Sequence, residues 1–316
     1  MPRPYENKLA IITGGSRGIG EAVTRRLASK GANLLIAYTS NSSTTPTHNL
    51  CTELSTTHSI HCLPLQADLS DPAPAIHKIL SAAKQLFKEI HQHDQAQAQA
   101  QDQDQAHKTF QIDILINNAG VASNQPLNDP HQGPITPQEF HRVYTVNVLA
   151  PLLLTQAVAP YLPTDRSGRI VSVSSVSSSI GYPGQSVYAG SKAAVEAMTR
   201  TWSRELAERA TVNAVNPGPV WGDMYMQAGE ELWKTNQPYV DVAPLAAYHG
   251  ERDVRERAGR DDAERFDRTV REGMGGKRPG FTSEIAGTID MLCSEEAGWT
   301  TGSVVCANGG MKMSIA

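Results

Sequence analysis

The chain has 316 residues, a formal net charge of −4 and a hydrophobic share of 40%, enough for one large α/β domain with a self-supporting core. So mild an acidity leaves no electrostatic footprint for nucleic acid or an anionic membrane, and no run of about 18 apolar residues reads as a membrane span. The four cysteines, Cys51, Cys62, Cys293 and Cys306, form no C-x-x-C pair, and MPRPYENKLAIITGG shows no basic-then-apolar leader; they read as reduced thiols of a cytoplasmic protein.

In chain order, KLAIITGG is an apolar run closed by glycines, EAVTRRLASKG carries helical spacing to Gly31, and NLLIAYTS is a second apolar run. Strand, helix and strand within about 30 residues make a βαβ unit. The alternation continues. HCLPLQADL, IDILINNAG, GRIVSVSS, TVNAVNPG and GSVVCANGG read as strands. PAIHKILSAAKQLFKEI, FHRVYTVNVLAPLLLTQAVAPYL and SVYAGSKAAVEAMTRTWSRELAER read as helices. The pattern predicts a single α/β domain over 1–316: a doubly wound, Rossmann-type parallel sheet of about seven strands with helices on both faces.

Two segments break the rhythm. Residues 91–107, HQHDQAQAQAQDQDQAH, are too polar to bury much surface and read as a solvated loop or helix extension, not as a metal site built on His91, His93 and His107. Between 222 and 280 the strand–helix alternation stops. There ERDVRERAGRDDAERFDRTVRE alternates charge at helical spacing and predicts a solvent-facing helix with i,i+4 ion pairs.

The turn after the first strand, TGGSRGIG, places Gly14, Gly18 and Gly20 around Ser16, Arg17 and Ile19. Glycine allows positive φ and lets the backbone approach a pyrophosphate, and the following helix offers free N–H groups to it. The second strand ends in YTSNSS, without the carboxylate that an NAD site uses on the ribose 2′-OH. Ser40 and its hydroxyl neighbours, with Arg17, suit a 2′-phosphate instead. The expected cofactor is NADP(H).

Tyr188 and Lys192 are four residues apart and share a helix face. A free phenol, pKa about 10, is a poor acid-base catalyst at neutral pH; a neighbouring ammonium lowers that value. The serine run Ser172, Ser174, Ser175, Ser177, Ser178 and Ser179 lies at a strand's C-terminal end, where open α/β sheets bind ligands.

Taken together, TGGSRGIG, NNAG at 117–120, Ser174–Ser175, YAGSK at 188–192 and NPG at 216–218 resemble the short-chain dehydrogenase/reductase family from Lys8 to Met313. The nearest likeness is to 3-oxoacyl-carrier-protein reductases and fungal polyketide-pathway ketoreductases. The resemblance implies an acid-base role for Tyr188, and for Lys192 both a lowering of the tyrosine pKa and a contact to the nicotinamide ribose. It implies a substrate-orienting role for Ser175, with Ser174 as fallback, and a proton-relay water held by Asn147. Asp68 would contact adenine, Asn118, Ala119 and Gly120 the adenosine ribose, and Pro217, Gly218 and Val220 the nicotinamide.

On this likeness 222–280 is an extended substrate lid, and Gly222 stands where the family often has threonine. Trp221, Met224, Tyr225, Met226, Trp233, Tyr239 and Tyr248 gather around the lid. They either line a site for a flat apolar ketone, such as a polyketide, or pack the lid onto the body or a subunit interface. The expected activity is NADPH-dependent reduction of a small ketone, with substrate contacts from Ser175, Tyr188 and Trp221 and no metal. The alternatives are oxidation of a secondary alcohol, a silent NADP(H)-binding regulator, and an epimerase of the extended branch. The likeness also suggests a homodimer or homotetramer formed through the helices at 139–162 and 187–209.

Overall fold

The computed structural model of the chain describes residues 3–97, 109–259 and 262–313. The first half runs β1 (Leu9–Thr13), α1 (Gly18–Ser29), β2 (Asn33–Tyr38), α2 (Thr44–His58), β3 (Cys62–Gln66), α3 (Pro72–Gln97) and β4 (Ile114–Asn117). A small hairpin, β5 (Asn128–Asp129) and β6 (Gly133–Pro134), leads to α4 (Pro137–Tyr144), a π-helical turn (Thr145–Leu149) and α5 (Ala150–Val158). Then come β7 (Gly168–Val173), α6 (Ser177–Ile180), α7 (Ser186–Glu205) and β8 (Ala210–Pro217). The lid holds α8 (Asp223–Asp241), α9 (Arg252–Glu256) and α10 (Ala263–Arg268), before α11 (Thr282–Cys293) and β9 (Val304–Ala307).

Seven strands form one sheet in the order β3-β2-β1-β4-β7-β8-β9, each pair parallel. The reason is visible in LAIIT and NLLIAY, which are buried along their whole length, as strands covered on both faces must be. Alternate residues feed opposite layers. Ala10, Ile12, Leu34 and Ile36 pack with α1, α2 and α11 through Val23, Leu54 and Ile289. Leu9, Ile11, Leu35 and Leu115 pack with α3, α5 and α7 through Ile79, Leu154 and Trp202. The strand order reverses between β1 and β4, so the crevice of the sheet opens at their C-terminal ends.

Three features depart from the sequence expectation. Helices α2 and α11 cover one face although neither was read from the pattern. The long apolar helix is interrupted at Thr145–Leu149 by a π turn. This Pro137–Tyr161 stretch is long and apolar enough to cross a membrane by composition, but here Val143, Ala150, Leu154 and Val158 are buried against the body of the domain. The charged lid segment is two short helices, parted at Gly259 with φ +102°. Its expected ion pairs are present, Arg252 to Glu256 at 2.7 Å and Arg271 to Asp267 at 3.0 Å. Its other face is not solvent-exposed: Phe266 and Val270 are fully buried against Trp221, Trp233 and Tyr248. Within 91–107, residues up to Gln97 extend α3; the remainder lies outside the described residues.

The lid leaves and rejoins the body at one place. Trp221 N donates to Gly280 O at 2.8 Å and Gly280 N to Pro219 O at 2.9 Å. All four cysteines are free thiols.

Candidate active site

The C-terminal edge of the sheet opens into a cleft of about 840 Å³, bounded by the glycine loop, the ends of β4, β7 and β8, and the lid. Gly14, Ser16, Arg17, Gly18, Ile19, Gly20, Ser40, Asp68, Asn118, Ala119, Gly120, Ser175, Tyr188, Lys192, Pro217, Gly218, Val220 and Trp221 all line it. Asn147 alone among the expected site residues does not; it lies buried behind the wall.

At one end sits the glycine loop. Gly14 and Gly18 have φ of +64° and +58°. A Cβ on Gly20 would stand 2.1 Å from Gly14 O, so no other residue fits without opening the turn. Asn118 pins the loop from the next strand, its Nδ2 donating to Thr13 O at 3.0 Å and Gly14 O at 2.9 Å. Helix α1 starts behind Arg17 with no side-chain cap, leaving first-turn N–H groups for a phosphate. At the end of β2, Ser40 Oγ lies 2.9 Å from Ser42 Oγ and 3.0 Å from Ser43 Oγ; no carboxylate stands among Tyr38 to Ser43. Arg17 pairs across the mouth with Asp223 of the lid at 3.6 Å. A glycine cradle, free helix N–H groups and hydroxyls where an acid would repel phosphate fit a phosphorylated dinucleotide.

At the other end lie the expected catalytic residues. Lys192 Nζ donates to Val173 O at 2.8 Å and stands 5.7 Å from the centre of the Tyr188 ring. A Cβ on Gly120 would meet Lys192 Nζ at 3.3 Å and Asn147 Oδ1 at 3.4 Å, so these groups converge on one glycine. Asn147 sits in the π turn, a feature that often marks functional positions. Its Oδ1 accepts from Val121 N at 2.9 Å, and its Nδ2 donates to Val121 O at 2.9 Å and Ser191 Oγ at 3.0 Å. The side chain is thus a strut between the end of β4 and α7.

The two candidate serines take different partners. Ser175 Oγ donates to Ser177 Oγ at 3.1 Å, Ser177 Oγ donates to Gln185 Oε1 at 2.6 Å, and Gln185 Nε2 to Asn124 Oδ1 at 2.8 Å. Ser174 Oγ instead donates to Glu196 Oε1 at 2.6 Å. A side-chain hydrogen bond from Ser175 pulls the Tyr188 phenol pKa down.

Burial overrides that pull and raises the phenol above its ordinary value. The lowering of Tyr188 expected from Lys192 does not outweigh burial here, where the ammonium donates to the Val173 carbonyl. Burial also lowers Lys192 to about 8, against the Glu196 carboxylate, which raises it.

Gly222 is extended at φ 161°, and a Cβ there would meet nothing within 4 Å. A threonine would fit; without one, α8 starts with no side-chain cap. The lid aromatics largely pack on each other: Trp221, Trp233 and Tyr248 join Phe266 in a separate cluster, and Tyr239 stacks edge-on against Tyr182 at 5.0 Å. Sequence reasoning missed Glu196, Gln185 and Asn124. Glu196 is one helical turn beyond Lys192, and that spacing was its only signal.

A doubly wound sheet with this glycine loop and a Tyr-x-x-x-Lys helix at its C-terminal edge defines a class, and the family model for short chain dehydrogenases matches residues 8–233. The chain belongs to the short chain dehydrogenase family and is an oxidoreductase of that type. It is 65% identical over 316 residues to the L-xylo-3-hexulose reductase of Hypocrea jecorina (strain QM6a), covering 100% of both chains. It is 58% identical to the L-xylulose reductase of Aspergillus niger over 315 residues, 99% of each chain. Among solved structures, a blue fluorescent protein from a metagenomic library in complex with NADPH is 28% identical, with a TM-score of 0.73, covering 98% of this chain and 100% of that one.

Proposed function

We propose that this chain reduces the ketone of a small polyhydroxylated ketose with NADPH. The observation that carries the reading is the convergence of Ser175, Tyr188 and Lys192 in the same cleft as the glycine cradle. The two full-length relatives carry the names of ketose reductases, which supports a sugar in place of the flat aromatic ketone. Asn124, Ser177 and Gln185 line the cleft near Ser175, a polar wall suited to hydroxyl groups, whereas the lid aromatics are largely taken up in lid packing.

Gly14, Gly18, Gly20 and the N-terminus of α1 would hold the pyrophosphate, and Ser40 and Arg17 the 2′-phosphate. Asp68 and Asn118 to Gly120 would line the adenosine half, and Pro217, Gly218 and Val220 the nicotinamide half. When bound, the nicotinamide supplies the hydride. Ser175 Oγ and the Tyr188 hydroxyl hold the substrate carbonyl oxygen. Tyr188, kept protonated by burial, gives its proton to that oxygen as negative charge develops there. Lys192 stabilises the tyrosinate left behind, and Asn147 keeps the wall around Lys192 in place. Trp221 closes the cleft over the substrate. Exposed Phe140 and Leu149 on the α4–α5 stretch support an oligomer formed through that helix.

The test is NADPH oxidation followed at 340 nm with L-xylulose, L-xylo-3-hexulose and an aromatic ketone. Turnover on the sugars supports the proposal, and turnover on the aromatic ketone alone sinks it. Two further outcomes are expected. Lys192 must be charged to stabilise tyrosinate, and with its pKa near 8 the ammonium is lost as pH rises through that value; kcat falls on an alkaline limb near pH 8, read from a pH–rate profile. Arg17→Ala weakens NADPH binding by about tenfold through loss of a charge-assisted phosphate contact, while NADH binding, measured by the same fluorescence titration, stays unchanged.

A further inference from the structure

The serine run offers more hydroxyls than one substrate oxygen needs. Two of the surplus ones converge on a single oxygen. Glu196 Oε1 accepts from Ser174 Oγ at 2.6 Å, from Ser178 Oγ at 2.7 Å and from Asn216 Nδ2 at 2.9 Å. Asn216, near the end of β8, also donates to Ser175 O at 2.9 Å. Ser174 and Asn216 are each 3% exposed. Glu196 itself is no part of the cleft lining.

We propose that Glu196 is a positioning residue whose carboxylate locks the turn carrying Ser175 onto the helix carrying Tyr188 and Lys192. The geometry requires it. Tyr188, Lys192 and Glu196 recur every fourth residue along one face of α7. Ser175 comes from a different element, the turn between β7 and α6. Hydrogen bonds that cross from that turn to α7 fix the separation of the two hydroxyls that must share one carbonyl oxygen. Ser174 and Ser178 flank Ser175 on both sides, and the carboxylate holds both. An ionised carboxylate accepting three donors makes charge-assisted bonds, stronger than a neutral acceptor would form. Misplacement of a reacting group by about 1 Å costs on the order of a hundredfold in rate, so a lock on this separation has direct kinetic weight.

The same carboxylate has an electrostatic reach. The titratable groups that feel it are Lys192 on α7 and Cys306 on β9. Burial drives Lys192 towards the neutral form and Glu196 opposes this. Burial raises the Cys306 thiol, with Glu196 adding to the rise and Lys312 opposing it. Removing the negative charge therefore shifts Lys192 further down, and the alkaline limb of kcat moves to lower pH.

The inference rests on the reading of Ser175, Tyr188 and Lys192 as the catalytic set, so Tyr188→Phe is measured beside Glu196→Gln and Glu196→Ala. Each full-length variant is assayed for kcat, KM for L-xylulose and NADPH affinity between about pH 6 and about pH 9, with melting temperature as the folding control. The expected result for Glu196→Ala is a kcat loss of about tenfold to a hundredfold with NADPH affinity retained. Glu196→Gln, which keeps an acceptor, restores most of kcat at the acid end and shows the alkaline limb displaced to lower pH. Wild-type kcat and an unmoved limb in both variants, with Tyr188→Phe inactive, overturn this inference alone. Equal losses in both variants with a lowered melting temperature and an unmoved limb overturn it in favour of a purely structural carboxylate. An active Tyr188→Phe overturns the catalytic reading and this inference with it.

Discussion

Tyr188→Phe is expected to abolish ketone reduction while leaving NADPH binding intact. The substitution removes one oxygen and keeps the ring, so the packing around it and the 5.7 Å approach of Lys192 to the ring centre survive. What is lost is the proposed proton donor. Burial holds the phenol above its ordinary pKa, which keeps it protonated at neutral pH and suits a proton-giving step. A positioned general acid contributes about 10²- to 10⁴-fold, and Ser175 alone has no comparable means of supplying a proton. The fall in kcat is therefore on the order of a thousandfold, measured by NADPH oxidation, with cofactor binding followed separately by fluorescence. A variant within tenfold of wild type means that another group delivers the proton.

Gly20→Ala is expected to remove cofactor binding itself. The added methyl would stand 2.1 Å from Gly14 O, 2.5 Å from Asn118 Nδ2 and 2.8 Å from Gly14 C. Two of these are backbone atoms of the loop and the third is the amide that pins it, so relief means pulling the turn apart. Gly18→Ala is the natural contrast: a Cβ there meets nothing within 4 Å, and the cost is confined to left-handed strain, about 1 kcal/mol. NADPH affinity should fall by at least about a hundredfold for Gly20→Ala, some 3 kcal/mol, and only several-fold for Gly18→Ala. Equal losses at the two positions would show that backbone freedom, and not close approach, is what the loop requires.

Much of this was legible in the sequence because it is periodic or locally obligatory. Fully apolar strands such as NLLIAY can only be covered on both faces, and a glycine cluster after the first of them has few other uses. Tyr188 and Lys192 were legible through helical spacing. Helix α2 was not, because TTPTHNLCTELSTTH buries only Thr47, Leu50, Cys51 and Leu54, too thin a stripe to stand out. The π turn at Thr145–Leu149 was hidden since insertion of a wider turn leaves the apolar pattern nearly unchanged. The charged lid segment misled because Phe266 and Val270 bury one face while the arginines and glutamates dominate the composition. Glu196 was invisible for a related reason: a glutamate in mid-helix looks solvated until Ser174, Ser178 and Asn216 are seen to converge on it from other elements.

The chain enters and leaves the lid through one backbone pairing, Trp221 with Gly280 and Gly280 with Pro219; part of the lid's apolar interior forms a cluster of its own, and part, Val240, Ala243 and Ala246, packs on Tyr182 and Met311 of the body. Lid positions outside those contacts are free to vary as a cassette, so descent can rewrite what enters the cleft at such positions while the contacts to Arg17, Tyr182 and Met311 are kept. A chimaera carrying a relative's lid, joined at Trp221 and Gly280 and keeping the contacts to Arg17, Tyr182 and Met311, is expected to retain the dinucleotide half of the molecule and take on the donor's appetite for substrate.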